Sequence, residues 1–188
     1  GAFVISVLLP LLLAPVTHSD PQLTRCADVL RHHEGLSLVE YIDTTGHKAI
    51  GYGHKLDMGE SIPHITMAGA EALLKFDVSK ARDSARKVYS PIYDTLPPNA
   101  QDALLYMAYQ LGETGLSRFK KLKQAILANN WKQASFECLH NTYVNPRTKE
   151  IVVLTSKWLD QTPTRARFCA SLFLSCLPNK TIQQGIKP

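Results

Sequence analysis

The chain has 188 residues, 45% of them hydrophobic and 20% charged, enough for one domain with a proper core or for two lobes sharing a long helix. Its net charge of +5 fits a partner bearing negative charge, but no lysine or arginine cluster is interleaved with exposed aromatics in the way a stacking groove needs, which argues against nucleic acid. Cys26, Cys138, Cys169 and Cys176 show no metal-ligand spacing and the histidines do not cluster with them, so no metal site is expected.

Residues 2–16 form an uncharged apolar run with two prolines. It is short for a membrane-spanning helix, which needs about 20 residues, but right for the apolar core of a secretory signal. The expectation is a secreted or exported protein, with membrane contact or a tether through 2–16; the alternative is a segment packed on its own domain or on another subunit. Asp20-Pro21 then gives a helix cap followed by proline at the first helical position. Leu23, Cys26, Val29, Leu30 and His33 recur at helical spacing, so a short amphipathic helix is expected over 21–33 with Glu34 at its end. Gly35 is placed to stop it in a left-handed conformation. Alternation from Leu38 to Asp43 fits a strand, Thr44-Thr45-Gly46 a turn, and Lys48 to Tyr52 the returning strand, with Gly51 and Gly53 allowing close backbone approach across a cleft.

A long helix is expected over 66–88 behind a Thr66 cap, with Leu73, Leu74, Asp77, Val78, Ala81, Ala85 and Val88 on one stripe. Asn99 to Tyr109 reads as a core helix after Pro97-Pro98, Gly112 and Gly115 as a turn, and 117–128 and 131–140 as further helices. Pro163 starts the last one, whose Phe168, Leu172 and Phe173 close the core. Each cysteine sits on an apolar helical stripe, so buried free thiols are expected. Residues 178–188 read as a loose tail, which leaves 20–177 as the domain.

A carboxyl at a helix end opposite a carboxyl at a hairpin turn suggests acid chemistry on a sugar. One acid protonates the leaving oxygen and one carboxylate activates water or stabilises charge at the anomeric carbon. Glu34, beside Leu30 and Leu36, would be partly desolvated with a raised pKa, and Asp43, at an exposed turn, would stay ionised. On these residues alone, a Glu and an Asp nine positions apart are more often solvated surface charges.

Larger motifs add to this. Glu34-Gly35-Leu36, Tyr41, Asp43-Thr44, Gly46 and Ile50-Gly51-Tyr52-Gly53-His54 resemble the active-site segment of the T-even phage-type lysozymes, the muramidases of glycoside hydrolase family 24. Gln110-Leu111-Gly112-Glu113-Thr114-Gly115 with Phe119, and Trp158-Leu159-Asp160-Gln161-Thr162-Pro163-Thr164-Arg165-Ala166, are similar to two further family segments in the same order. The resemblance covers about residues 21–177 and implies an α+β, mainly helical, two-lobe fold. A small antiparallel sheet lobe would be joined by a long helix, the 66–88 segment, to a helical C-terminal lobe.

By the same resemblance Glu34 is the proton donor and Asp43 the carboxylate that assists attack by water with inversion. Arg165 would pair with Glu34, lowering its pKa while burial raises it. His54 would be a buttress facing Asp77 in a structural ion pair. Leu56 and Tyr109 fall at saccharide contacts, although Tyr109 stands where a Phe is usual; Glu137 and Leu122 match two further contact positions without their usual residue types. One departure concerns catalysis directly: Ala49 stands where the family's Thr holds the attacking water, and losing such a group can cost on the order of 100-fold in rate. Either Asp43 alone holds the water, or Thr44 or Thr45 substitutes, or activity is reduced or altered.

The expected function is therefore a peptidoglycan hydrolase, acting without cofactor as a monomer on the bacterial wall. A lytic transglycosylase using Glu34 alone, or a non-catalytic wall-binding module, are the alternatives. Asn141 to Ser156 is longer than the family's connection and is expected as a surface insertion, with a small hairpin as the other reading. Asp57 to Ile65 is a shortened lip that should leave the cleft more open.

Overall fold

The computed structural model describes residues 20–178. The apolar run at 2–16 and nearly all of the expected tail lie outside the described residues.

Helix α1 (Pro21–His33) starts as its sequence dictates, with Asp20 accepting from the Gln22 and Leu23 N–H groups and Pro21 in the first turn. Two bidentate arginines fix it. Arg25 grips buried Asp102 at 2.7 and 2.9 Å, and Arg31 grips Glu71 at 2.9 and 2.7 Å. Glu71 also accepts from the Tyr52 hydroxyl at 3.0 Å, so the end of α1, the sheet and the next helix meet at one carboxylate. Gly35 is not left-handed, contrary to expectation. Glu34 itself ends the helix in extended backbone (φ −97°, ψ 140°) with its N–H on the Leu30 carbonyl, and no positive φ is needed to turn the chain.

Strands β1 (Ser37–Ile42), β2 (Lys48–Gly51) and β3 (His54–Lys55) form an antiparallel sheet in the order β1-β2-β3, one short strand more than the sequence suggested. Tyr41 pairs with Ala49, which pairs in turn with Lys55, so these three side chains form a row on one face. Gly51 and Gly53 take positive φ (67° and 90°), and a side chain at Gly53 would meet nothing within 4 Å. At Gly53 the need is backbone conformation alone, whereas Gly51 also lies close to the next helix, where a Cβ would come within 3.7 Å of Ala70. The lip runs along the free edge of β1, where Ile65 N–H donates to the Leu38 carbonyl at 2.9 Å.

Helix α2 (Met67–Val88), capped by the Thr66 hydroxyl on Gly69 N–H, buries Ala70, Leu74, Val78, Ala81 and Ala85 as a continuous stripe. It leads from the sheet into the helical lobe. There α3 (Pro98–Ser117) is the central element, with Ala100 and every residue from Asp102 to Ala108 buried. The non-helical backbone of Gly112 (φ 67°, ψ 177°) breaks α3 into two helical pieces across a kink, at the turn expected after the core helix. Helices α4 (Lys120–Leu127) and α5 (Trp131–Leu139) follow, α4 beginning later than the expected 117 because Arg118-Phe119 form the link. Residues 140–155 form a second, two-stranded sheet of β4 (His140–Val144) and β5 (Ile151–Thr155). Thus the insertion is an ordered hairpin. Short α6 (Lys157–Gln161) and α7 (Pro163–Leu174) finish the domain, α7 packing on α3 and α5 through Ala166, Cys169, Ala170 and Phe173. All four thiols are free, those of Cys26, Cys138 and Cys169 buried. Among the described residues no helix is long and apolar enough to cross a membrane.

Candidate active site

Glu34 lies where the clamped end of α1 meets the start of α7. Its Oε2 accepts from Arg165 Nη2 at 2.6 Å, and the same nitrogen reaches the His33 carbonyl at 3.1 Å, which fixes the guanidinium against the end of α1. The other carboxyl oxygen, Oε1, is buried without a hydrogen-bond partner. Burial pushes the carboxyl above the usual carboxylate range and outweighs the opposing pull of Arg165. The competition that the sequence left open is thereby resolved in favour of burial.

Asp43 has the opposite environment. Its Oδ1 accepts from Thr45 N–H at 2.8 Å, the Thr45 hydroxyl at 2.7 Å and His47 N–H at 2.9 Å. Those donors, led by the His47 N–H, hold the carboxyl far below its ordinary value, and Lys55 Nζ, 3.4 Å from Oδ2, adds to the effect. Oδ1 is fully used and Oδ2 is the oxygen left for chemistry. The Thr45 hydroxyl, the one candidate substitute for the missing Thr that contacts Asp43, gives its proton to that carboxylate.

Tyr41 links the two carboxylates. After burial, the charges of Glu34 and then of Asp43 push its phenol up, so both lie within electrostatic reach of one hydroxyl. Directly across from Tyr41, Ala49 is only 1% exposed and offers no polar atom.

His54 Nδ1 sits 2.9 Å from both oxygens of Asp77, tying β3 to α2. Burial raises Asp77, against the lowering influence of His54. Tyr109, on α3, donates its hydroxyl to the Tyr52 carbonyl at 3.0 Å, and burial pushes that phenol up. Between these pairs lies a depression of about 520 Å³ bordered by His54, Lys55, Asp77, Lys80 and Tyr109. Leu56 is not on it. At 7% exposure, with its N–H on the Lys48 carbonyl, it turns inward and leaves Lys55 as the residue presented beside Asp43. Leu122 and Glu137 are buried beside each other in the helical lobe, where Gln133 donates to Glu137 at 2.8 Å. Sequence reading missed Lys55 and the Arg31–Glu71–Tyr52 cluster. The pairing of a β-strand lysine with a turn aspartate twelve positions earlier leaves no local pattern to find.

The phage lysozyme family model matches residues 31–156. Probable T4-type lysozyme 2 of Dictyostelium discoideum is 29% identical over 170 residues, covering 78% of this chain and 91% of that protein. Probable T4-type lysozyme 1 of the same organism is 28% identical over 163 residues, covering 74% and 87%. The pre-baseplate central spike protein Gp5 of Enterobacteria phage T4 is 30% identical over 144 residues, which span 63% of this chain and 24% of that protein. Carboxyl groups shifted in opposite directions on a sheet-and-helix frame, and a match over the greater part of the chain, lead to one conclusion: the chain belongs to the phage lysozyme family.

Proposed function

We propose that this protein is a muramidase that hydrolyses the β-1,4 bond between N-acetylmuramic acid and N-acetylglucosamine in peptidoglycan. The observation that carries the reading is the asymmetry of Glu34, one oxygen anchored by Arg165 and the other buried without a partner, beside an Asp43 held ionised. Glu34 Oε1 gives its proton to the glycosidic oxygen as the bond to the anomeric carbon breaks. Asp43 Oδ2 takes a proton from a water attacking the opposite face of the sugar, so the product inverts. Arg165 keeps the donor oriented, and the Thr45 and His47 donors keep the base in place. Tyr109 lines the sugar-side wall of the cleft. His54 acts through Asp77, holding β3 where Lys55 meets Asp43. Neither proton transfer calls for a metal or an organic cofactor. The apolar run at 2–16 supports action outside the cytoplasm, by export or from a membrane tether, and we take the working unit to be the monomer.

Incubation with purified peptidoglycan, followed by analysis of the new chain ends, tests this. New reducing ends of inverted configuration are expected, together with their loss in Glu34→Gln. Anhydro-muramic ends would assign a transglycosylase instead, and cleavage by Glu34→Gln at the parent's rate would remove Glu34 from the reaction.

A further inference from the structure

The β4–β5 hairpin has no part in the chemistry described above. Its base is tied down, because Lys121 of α4 donates to the carbonyl and hydroxyl of Thr142, and Ser156 N–H donates to the Leu139 carbonyl at 2.8 Å. Beyond that base it covers no core. The cross-strand pairs Thr142–Val153 and Val144–Ile151 place Val144, Ile151 and Val153 on one face, where they are 59%, 73% and 49% exposed. A two-stranded ribbon has two open edges, and a cluster of aliphatic β-branched side chains left in water on such a ribbon marks a contact surface.

Charge selects the partner. Residues 118–157 hold eight lysines and arginines against two glutamates, more positive charge than the net +5 of the whole chain. Arg147 and Lys149 lie in the hairpin's turn, and Arg118, Lys120, Lys121 and Lys157 surround an open depression of about 500 Å³ at its base. A second copy would set these cations against each other. Nucleic acid would satisfy the charge, but it is held by aromatic stacking, and this face is aliphatic. An anionic bilayer satisfies both requirements, with phosphates for the cations and the acyl boundary for the aliphatic side chains.

We propose that the β4–β5 hairpin is a docking surface for an anionic lipid bilayer, with Val144, Ile151 and Val153 laid into the acyl boundary and Arg147, Lys149 and Lys120 on the lipid phosphates. This surface works independently of glycan hydrolysis. The test is co-sedimentation of the full chain with vesicles of phosphatidylglycerol mixed into phosphatidylcholine, and of phosphatidylcholine alone. The parent binds the anionic vesicles, less so at high salt, and the neutral ones weakly. The triple variant Val144→Ser, Ile151→Ser, Val153→Ser loses about tenfold or more in affinity for anionic vesicles. Its thermal midpoint stays within a few degrees of the parent value, because these side chains are about half or more exposed and cover no core. Arg147→Glu with Lys149→Glu weakens only the anionic binding. Failure of the parent to bind anionic vesicles overturns the proposal. So does equal binding by the triple variant, which would place any lipid affinity elsewhere, residues 2–16 included. A loss of peptidoglycan binding with vesicle binding intact would make the hairpin a glycan contact instead. Vesicle binding is read without turnover, so its outcome is separate from that of the hydrolase assignment.

Discussion

Arg165 Nη2 holds Glu34 Oε2 at 2.6 Å while Glu34 Oε1, on the same carboxyl, is buried with no hydrogen-bond partner. An ordinary bidentate arginine pair would satisfy both oxygens and stabilise the carboxylate. Here one contact fixes orientation, and burial favours the protonated form.

The pairing makes the basic limb of the pH profile sensitive to Arg165. The cation lowers the Glu34 pKa against burial, so in Arg165→Met burial acts alone and the carboxyl stays protonated to higher pH. The basic limb of kcat/KM should move upward. Its plateau should fall by roughly 10- to 100-fold as the donor loses its fixed position. A limb that stays put or moves down would show that Arg165 does not act on Glu34.

Asp43 should respond in the other direction. Thr45→Val deletes the hydroxyl on Oδ1 and leaves the Thr45 backbone donor, which raises the Asp43 pKa toward its ordinary value. The acid limb of activity therefore shifts up. Because the folded pKa is depressed, the stabilisation from these donors is present above the unfolded value, near 3.8, and is lost as pH falls through the folded one. The stability gap between parent and Thr45→Val should thus be widest near neutral pH and close in acid, as urea unfolding at several pH values would show.

Ala49→Thr tests the missing hydroxyl. Ala49 lies between Tyr41 and Lys55 in the row that also reaches Asp43, so a threonine there puts an oxygen beside the carboxylate that takes the water's proton. A rise in kcat of about tenfold or more, with KM little changed, is expected from an added transition-state hydrogen bond. Unchanged kcat in a folded variant would mean that Asp43 alone positions the water.

The carboxylate pair, its arginine and the order of helices were legible because each is written in short local patterns: a cap with proline, a glycine-rich turn, an apolar stripe. What was missed depends on contacts between distant segments. Gly35 invited a left-handed stop, yet Arg31 locked on Glu71 lets the chain leave α1 through Glu34 in extended form. Leu56 matched a contact position by order, but the register Ala49–Lys55 puts Lys55 on the cleft face and turns its neighbour inward. Asn141 to Ser156 did carry a strand signal in Ile151-Val152-Val153. Its partner strand, His140–Val144, is polar enough at Asn141 and Thr142 to read as loop.

The Tyr109 hydroxyl provides the last test, because it joins the two lobes. It donates from α3 to the Tyr52 carbonyl in the turn between β2 and β3, a bond that a phenylalanine would lack. Tyr109→Phe keeps the ring against the cleft and removes only this donor. Deleting a part-buried hydrogen bond costs about 0.5–1.5 kcal/mol, here concentrated where the sheet lobe meets the helices. For a domain of this size that lowers the melting temperature by roughly 1–6 °C. With its proton committed to Tyr52, the hydroxyl has none to give a saccharide, so KM should stay within about twofold of the parent. A large rise in KM with an unchanged melting temperature would show that the oxygen serves the sugar and that the lobes are held together without it.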